Sequence, residues 1–242
     1  MTNIERSSVA NILLSALPSA ALTRIIEAGK RVDLKTGEII STAGEPITHL
    51  CFPEGGIASY TDGFGTGRIE IGLIGREGFT GWPLLLGCEQ SAHQAQVQIG
   101  HGTAIRIESA TLLQICEAHP HARMLMLQFV HSFIAQMGRT IVSNLVDPIQ
   151  KRLARWILMC HDRSTGDEIA LTHEYMAVML GVRRASVTDS LHVLEGEGAI
   201  SGKRRLVVIR DRAKLEQIAG ECYGPAEAGY RKQIDPKFGK SR

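Results

Sequence analysis

The chain has 242 residues, of which 44% are apolar, so it is long enough for two domains that each bury a core. The formal net charge is only +2, so any contact with nucleic acid has to rest on local clusters of basic residues. No apolar run approaches the roughly 20 residues that cross a bilayer, and no membrane partner is expected.

The expected location is the cytoplasm. The N-terminus carries early charges and lacks the small-residue cleavage pattern of a secretory leader. The five cysteines are scattered and form no CxxC motif, which fits reduced thiols in that compartment. Near the N-terminus, apolar residues on either side of Pro18 predict short surface helices. These residues are Ile12, Leu13, Leu17, Leu22, Ile25 and Ile26.

The region from Val32 to Ile107 has the pattern of many short strands. Extended candidates lie at residues 39–40, 49–52, 57–60, 69–74 and 95–99, and glycine-rich turns separate them. Frequent glycine between short strands favours a barrel-like or roll fold. The glycine-rich residues 63–67 lack the strand-loop-helix setting of a phosphate-binding loop, so a hairpin turn is predicted there.

A long helix is predicted after Pro120. The 3-4-3-4 spacing of its apolar residues is typical of a coiled-coil seam between two subunits. The predicted seam residues are Leu127, Val130, Ile134, Met137 and Ile141. A second apolar edge, at Met126, Phe129 and Phe133, fits packing on the roll. The alternative is a single helix buried within one subunit. A hinge is predicted at residues 143–146, followed by a helix with Asp147 as N-cap and Pro148 at its first position.

Residues 171–200 predict two short amphipathic helices joined by a glycine turn. Thr172 is a suitable N-cap for the first, and Gly181 ends it. Val187, Leu191 and Leu194 give the second helix a buried face. A basic turn at residues 203–205 and an apolar strand at residues 206–209 follow. The spacing alone also allows an ordinary helix pair, but the basic turn and the strand favour a winged helix-turn-helix that binds double-stranded DNA.

The charge distribution agrees with a DNA-facing C-terminal part. From residue 146 onward there are 17 Lys and Arg against 13 Asp and Glu, whereas the first 145 residues hold 10 against 12. The asymmetry is mild, so the clusters at residues 183–184 and 203–205 matter more than the totals.

The segment LTHEYMAVMLG, the following VRRASVT and the later LEGEGAI resemble the DNA-binding domain of the Crp/Fnr regulators. The resemblance covers roughly residues 37–212 and implies an α+β fold. Its parts are a double-stranded β-helix (a β-roll of jelly-roll type) that acts as sensor, a long dimerisation helix and a winged helix-turn-helix. The predicted domains are a cyclic-nucleotide-binding-like roll at 1–119, the dimerisation helix and hinge at 120–145, the DNA-binding domain at 146–222 and a tail at 223–242.

The resemblance also places DNA contacts. Arg184 stands at the family's leading base-contacting arginine, which can bind guanine through two hydrogen bonds. Ala185 replaces the usual glutamate and Asp189 a later arginine, so the half-site should differ from the common one. The predicted base contacts are Arg184, Ala185, Thr188 and Asp189. The predicted phosphate contacts are Thr172, His173, Arg183, Ser186, His192, Lys203, Arg204 and Arg205.

The predicted effector pocket lies between residues 75 and 97. Relatives that bind cyclic nucleotides hold the ribose with a Gly-Glu-Leu turn and the phosphate with a downstream arginine. Here Trp82 fills the acidic position and His93 lies near that of the arginine, so both charged anchors are missing. The candidate residues are Phe79, Thr80, Gly81, Trp82, Pro83, His93 and Gln94. Trp82 fits an apolar filler at least as well as a ligand-stacking ring.

The predicted function is therefore a sequence-specific DNA-binding transcription regulator, acting as a homodimer on a near-palindromic site. The effector of the roll is unknown, or effector binding has been lost. If the protein activates transcription, RNA polymerase is a further expected partner. The alternative is a regulator that binds cyclic AMP or cyclic GMP through an altered pocket. The first 50 residues contain no cysteine for an iron–sulfur centre, and no cofactor is expected. Paired catalytic carboxylates, a nucleophile elbow and a metal cluster are missing from the pattern, so an enzyme is not expected.

Overall fold

The structure is a computed structural model that describes residues 8–63 and 68–239. Its helices are α1 (Ile12–Ala16), α2 (Ser19–Ala28), α3 (Ser109–Ala118), α4 (Pro120–Val146), α5 (Ile149–Arg163), α6 (His173–Leu180), α7 (Arg184–Gly196), α8 (Arg212–Ala219) and α9 (Pro225–Gln233). Its strands are β1 (Lys30–Leu34), β2 (Ile39–Ser41), β3 (His49–Pro53), β4 (Ile57–Asp62), β5 (Ile69–Ile74), β6 (Gln94–Ile99), β7 (Gly102–Glu108), β8 (Glu168–Ile169), β9 (Ile200–Lys203) and β10 (Leu206–Ile209).

The N-terminal strands form the predicted roll. One antiparallel sheet has the order β1-β7-β3, and the other has the order β2-β6-β4-β5. The predicted strands are all present, and the pattern missed β1 and β7 because charged residues interrupt them. The predicted turn at residues 63–67 falls mostly outside the described residues, although β4 and β5, on either side of it, pair with each other.

The N-terminal helices correct one prediction, because they are not surface helices. Leu13, Leu14 and Ile25 are fully buried and belong to the main hydrophobic cluster, together with residues of the roll and of α4. Asn11 caps α1 by accepting from the Leu14 N–H, and its amide donates to the carbonyls of Pro53 and Gly78. The short helices therefore close one side of the roll, which periodicity in so short a segment does not reveal.

The inner face of α4 packs on the roll through an aromatic cluster. The Phe129 ring lies 5.3 Å from that of Phe79, and the Phe133 ring contacts the rings of Tyr60 and Trp82 at 5.2 and 5.7 Å. Gly78 is required for this approach, since a Cβ atom there would lie 2.0 Å from the Phe129 ring. The predicted second apolar edge of the helix is thus confirmed.

The hinge is displaced from its predicted place. Residues 143–146 are helical, and α4 ends only at Asp147, whose N–H donates to the Ser143 carbonyl. Pro148 disfavours a helical conformation at Asp147. The helix ends there, and not within residues 143–146, because those four residues include neither glycine nor proline. Asp147 was predicted as the N-cap of the next helix, but Pro148 holds that position in an extended conformation.

The C-terminal part is a winged helix. α5, α6, α7 and α8 surround a core that includes Trp156, Met176, Leu191 and Leu215, and the sheet order is β8-β10-β9. The described part of the tail lies against α4 and the roll. α9 packs against α4, and the Tyr230 hydroxyl donates to the Glu77 carbonyl at 2.7 Å.

Candidate nucleic-acid interface and sensor region

The helix-turn-helix follows the local signals of its sequence. Thr172 Oγ1 accepts from the Tyr175 N–H at 3.1 Å and so caps α6, and Gly181 ends that helix with a φ of 61°. The predicted inner face of α7 is buried, with Val187, Leu191 and Leu194 in the core. The second helix therefore presents its other face outward, which is the arrangement of a recognition helix.

The outward face carries most of the predicted base-contacting residues. Arg184, Ala185 and Asp189 are not buried, and the Arg184 side chain is largely exposed. Thr188 Oγ1 donates to the Arg184 carbonyl and lies 2.9 Å from Nδ1 of His173. That last contact joins the two helices, so Thr188 also supports the geometry of the motif.

Arg184 is held by an acidic neighbour. Its Nε lies 3.0 Å from a carboxylate oxygen of Glu174, and both side chains are about two-thirds exposed, at 66% and 65%. An exposed pair of this kind contributes about 0–1 kcal/mol. The guanidinium can therefore exchange Glu174 for a base edge at little cost.

The predicted phosphate contacts fall into three groups. Lys203, Arg204 and Arg205 are exposed at the turn between β9 and β10, and Arg205 adopts a φ of 60°. In this first group, Lys203 Nζ lies 4.0 Å from a carboxylate oxygen of Glu168. Arg183 is exposed at the start of α7, and Ser186 is half-buried on the same helix. The remaining three already have partners within the domain: Thr172 as the cap, His173 beside Thr188, and His192 at 3.4 Å from Glu195.

A buried polar contact joins the roll to the winged helix, and sequence reasoning missed it. Glu70 of β5 accepts from the Ser59 hydroxyl at 2.5 Å and from the Trp156 indole N–H of α5 at 2.6 Å. Burial raises the pKa of the Glu70 carboxyl to about 7, against the two hydrogen bonds that favour its charged form. The available signal was a lone acid within the apolar run IEIGLI.

A second buried contact joins the same two parts. Arg163 of α5 donates from Nε to Glu77 at 2.7 Å, and both side chains are buried. Arg163 Nη1 also donates to the Met159 carbonyl, and its guanidinium lies 5.6 Å from the ring centre of Phe238 in the tail. Glu77 belongs to the turn after β5, so this turn, the DNA-binding part and the tail meet at one ion pair.

The seven predicted effector residues lie in different surroundings. Phe79 and Trp82 are buried in the aromatic cluster, as the filler interpretation of Trp82 expects. Thr80 and Gly81 line a cavity of about 300 Å³ inside the roll. Pro83 and Gln94 are buried, and His93 lies 3.4 Å from Asp62 at the end of β4.

The five predicted seam residues differ in exposure. Val130 is buried against its own roll, and Leu127 and Met137 are partly buried at the edge of the same cluster. Ile134 and Ile141 are 47% and 57% exposed. Further along, Leu145 is 79% exposed, so the apolar surface grows towards the C-terminal end of α4.

The described residues carry neither a membrane span nor a metal cluster. None of the helices in residues 8–63 and 68–239 has the length and apolar character that a bilayer crossing requires. Within the same residues, no three His, Cys, Asp or Glu side chains are grouped so that they could hold a metal ion.

Comparison by sequence identifies the C-terminal domain. The sequence model of the Crp-like helix-turn-helix domain matches residues 151–218, which run from α5 into α8. The helix-turn-helix predicted from residues 171–200 is therefore confirmed as part of a Crp-like domain. No curated protein matches the chain.

Comparison by structure extends the likeness to the roll. FixK2 from Bradyrhizobium japonicum has a TM-score of 0.68 and 14% identity, with 79% of this chain and 98% of FixK2 covered. A putative Crp/Fnr-family regulator from Eubacterium rectale has a TM-score of 0.64 and 18% identity, covering 86% and 97%. A CRP-family regulator from Thermus thermophilus has a TM-score of 0.63 and 21% identity, covering 79% and 97%. These likenesses confirm the predicted α+β fold.

Proposed function

We propose, from a Crp-like helix-turn-helix domain at residues 151–218 and a fold shared with CRP/FNR-family regulators, that this protein is a DNA-binding transcription regulator. The observation that carries the proposal is the outer face of α7, where Arg184, Ala185 and Asp189 are exposed, together with the exposed basic residues 203–205 of the wing. A basic helix start can enter the major groove, and a basic wing can contact phosphate.

The active form proposed is a homodimer that pairs along α4. Ile134, Ile141 and Leu145 recur at spacings of seven and four residues and are left exposed by a single chain. Gly138 lies between them, and a Cβ atom there would meet only open space, which permits a close helix–helix approach. Pairing would bury this apolar row and place two recognition helices about 34–36 Å apart, on a near-palindromic site. We place this dimer in the cytoplasm and, if it is an activator, we propose that it also contacts RNA polymerase.

The roll would act as the sensor. Its turn after β5 contacts the DNA-binding part through Glu77 and Arg163, and β5 does so through Glu70 and Trp156. A change at this turn can therefore reach the winged helix through two buried contacts. A cyclic-nucleotide response is less favoured, because Trp82 holds the acidic position of the usual turn and packs on Phe133.

Selection of bound duplexes from a random DNA pool tests the proposal. We expect enrichment of two inverted half-sites, with Arg184→Ala relaxing the preference at one base pair in each. No enrichment by the wild-type chain would contradict sequence-specific binding. Calorimetry with cyclic AMP and cyclic GMP distinguishes this proposal from a cyclic-nucleotide-responsive regulator, because the proposal expects neither nucleotide to bind.

A further inference from the structure

A cavity of about 300 Å³ lies inside the roll and has no assigned role. Residues of β1, β2, β3 and β7 line it, and Val32, Leu34 and Ile40 give it an apolar side. Trp82, Pro83, His93 and the whole of α4 contribute nothing to its lining. Its volume lies at the lower end of the range for small-molecule pockets, roughly 300–1,000 Å³.

Two buried hydroxyl groups beside this cavity lack a nitrogen or oxygen partner. Thr80 is only 1% exposed, and its Oγ1 has only the weakly hydrogen-bonding Cys51 thiol beside it. Oγ of Ser41 has no partner among the described residues. Both residues line the cavity. Because burial removes polar groups from water, they are nearly always hydrogen-bonded, so two such hydroxyls at one cavity point to a polar ligand.

The cavity is also lined by charged side chains of both signs that form no ion pair with one another. Arg106 is exposed at the opening of the cavity, where it pairs in register with Cys51 of β3, and it forms no ion pair within residues 8–63 and 68–239. Two acids that we name the rim carboxylates, Glu38 and Glu45, line the same cavity and are exposed. Glu38 accepts from the Lys35 N–H at 3.1 Å, which ties it to the turn between β1 and β2.

The other titratable groups that line the cavity are the Cys51 thiol and the His49 imidazole. Burial raises the pKa of the Cys51 thiol to about 11, so the thiol is neutral at physiological pH. His49 lines the cavity beside Thr48, whose hydroxyl lies 3.0 Å from its Nδ1. The cavity is thus lined by a guanidinium and by two carboxylates, and a ligand that pairs with both needs an anionic and a cationic group.

We propose that this cavity binds a free amino acid. The carboxylate pairs with the Arg106 guanidinium, and the ammonium group lies at the rim carboxylates. The two buried hydroxyls complete the hydrogen bonds, and the amino acid's side chain packs on the apolar side. That the bound amino acid regulates DNA binding, as the effector sensed by the roll, rests on the proposed function. The binding of the amino acid does not depend on it.

The test is calorimetric titration of the full-length protein, without DNA, with each of the twenty protein amino acids. For the tightest binder, the acid without its ammonium group and the amine without its carboxylate are then titrated. For leucine these are 4-methylpentanoate and 3-methylbutylamine. Arg106→Gln should weaken binding about tenfold or more, because one charge-assisted pair is lost. Both truncated compounds should bind more weakly than the amino acid.

The control variant is Arg123→Gln, which removes an exposed arginine at a separate groove on α4. Its affinity for the amino acid should equal that of the wild type. No binding by any of the twenty, equal binding by Arg106→Gln, or equal binding of the acid without its ammonium group would overturn the proposal. The titration contains no DNA and the selection from a DNA pool requires no amino acid, so the two proposals can fail separately.

Discussion

The two halves of α4 differ in what they leave uncovered. The first half is held by the roll, where Phe129 and Phe133 are buried, and just beyond the midpoint the Gln136 amide exchanges hydrogen bonds with the backbone of Leu73. The second half leaves Ile141 and Leu145 exposed. The same helix thus has one part buried against its own roll and another apolar part that a second copy of the chain can cover. The comparison predicts that changes in the first half alter stability, whereas changes in the second alter assembly.

The largest effect is expected from Phe133→Ala. This ring contacts Tyr60 and Trp82, and its loss should leave a cavity that destabilises the fold by about 3–5 kcal/mol. Urea unfolding measures the change. The matched control is Met124→Ala on the same helix, which removes a half-exposed side chain and should cost much less. Equal losses from both variants would show that the first half of α4 is not specifically packed.

The next effect concerns pH and the contact between the roll and the winged helix. The pKa of Glu70 is about 7 in the folded state and 4.5 ordinarily. As the pH rises from 4.5 to 7, the unfolded state loses this proton and the folded state keeps it, so stability falls. Above pH 7 the loss is complete, at about 3 kcal/mol.

Glu70→Gln should remove this part of the pH dependence, and urea unfolding across the range from about pH 5 to about pH 8 would measure it. Glu174→Gln, at an exposed acid, should keep the wild-type slope. If Glu70→Gln and the wild type lose stability in parallel over that range, the Glu70 carboxyl is already ionised in the fold.

The second half of α4 is tested by Ile141→Glu. If a partner helix buries Ile141, its replacement by a charge should weaken dimerisation by about 2 kcal/mol or more and leave the unfolding of one chain nearly unchanged. Sedimentation velocity over a concentration series gives the dimer dissociation constant. The control is Val178→Glu, at a half-exposed residue of α6, which should leave that constant unchanged. Unaltered dimerisation in Ile141→Glu would place the interface elsewhere.

The smallest effect is expected at the recognition helix. Arg184→Ala should weaken binding to the selected site by about 1–3 kcal/mol. Its partner variant, Glu174→Gln, frees the same guanidinium and should bind at least as well as the wild type. Fluorescence anisotropy with the selected site and a scrambled duplex measures both. An equal loss on the two duplexes would mean that Arg184 contacts phosphate and does not read a base.

The winged helix could be predicted from the sequence because its signals are local. Thr172 and Gly181 mark the ends of α6, and the apolar spacing of α7 defines its inner face. The resemblance to the Crp/Fnr regulators then places the predicted base contacts on the outer face of α7. Asp147 shows the limit of such signals: it has the chemistry of an N-cap, but the proline after it takes the cap position.

The roll and its contacts could be predicted only in outline, because they depend on residues that are distant in sequence. Glu70 and Trp156 are far apart in sequence, and nothing near either residue indicates the hydrogen bond between them. The burial of the N-terminal helices and the docking of α9 on α4 are equally non-local. The apolar pattern of α4 was visible, but the division between its inner and outer sides depends on where the roll lies.

The central claim is that two copies of this chain bind one DNA site. Sedimentation velocity of the complex with the selected duplex, at concentrations well above the dissociation constant, measures the stoichiometry directly. We predict two chains per duplex on the full site, and much weaker binding to a duplex that carries a single half-site. One chain per full site, with the same affinity on the half-site duplex, would contradict the claim.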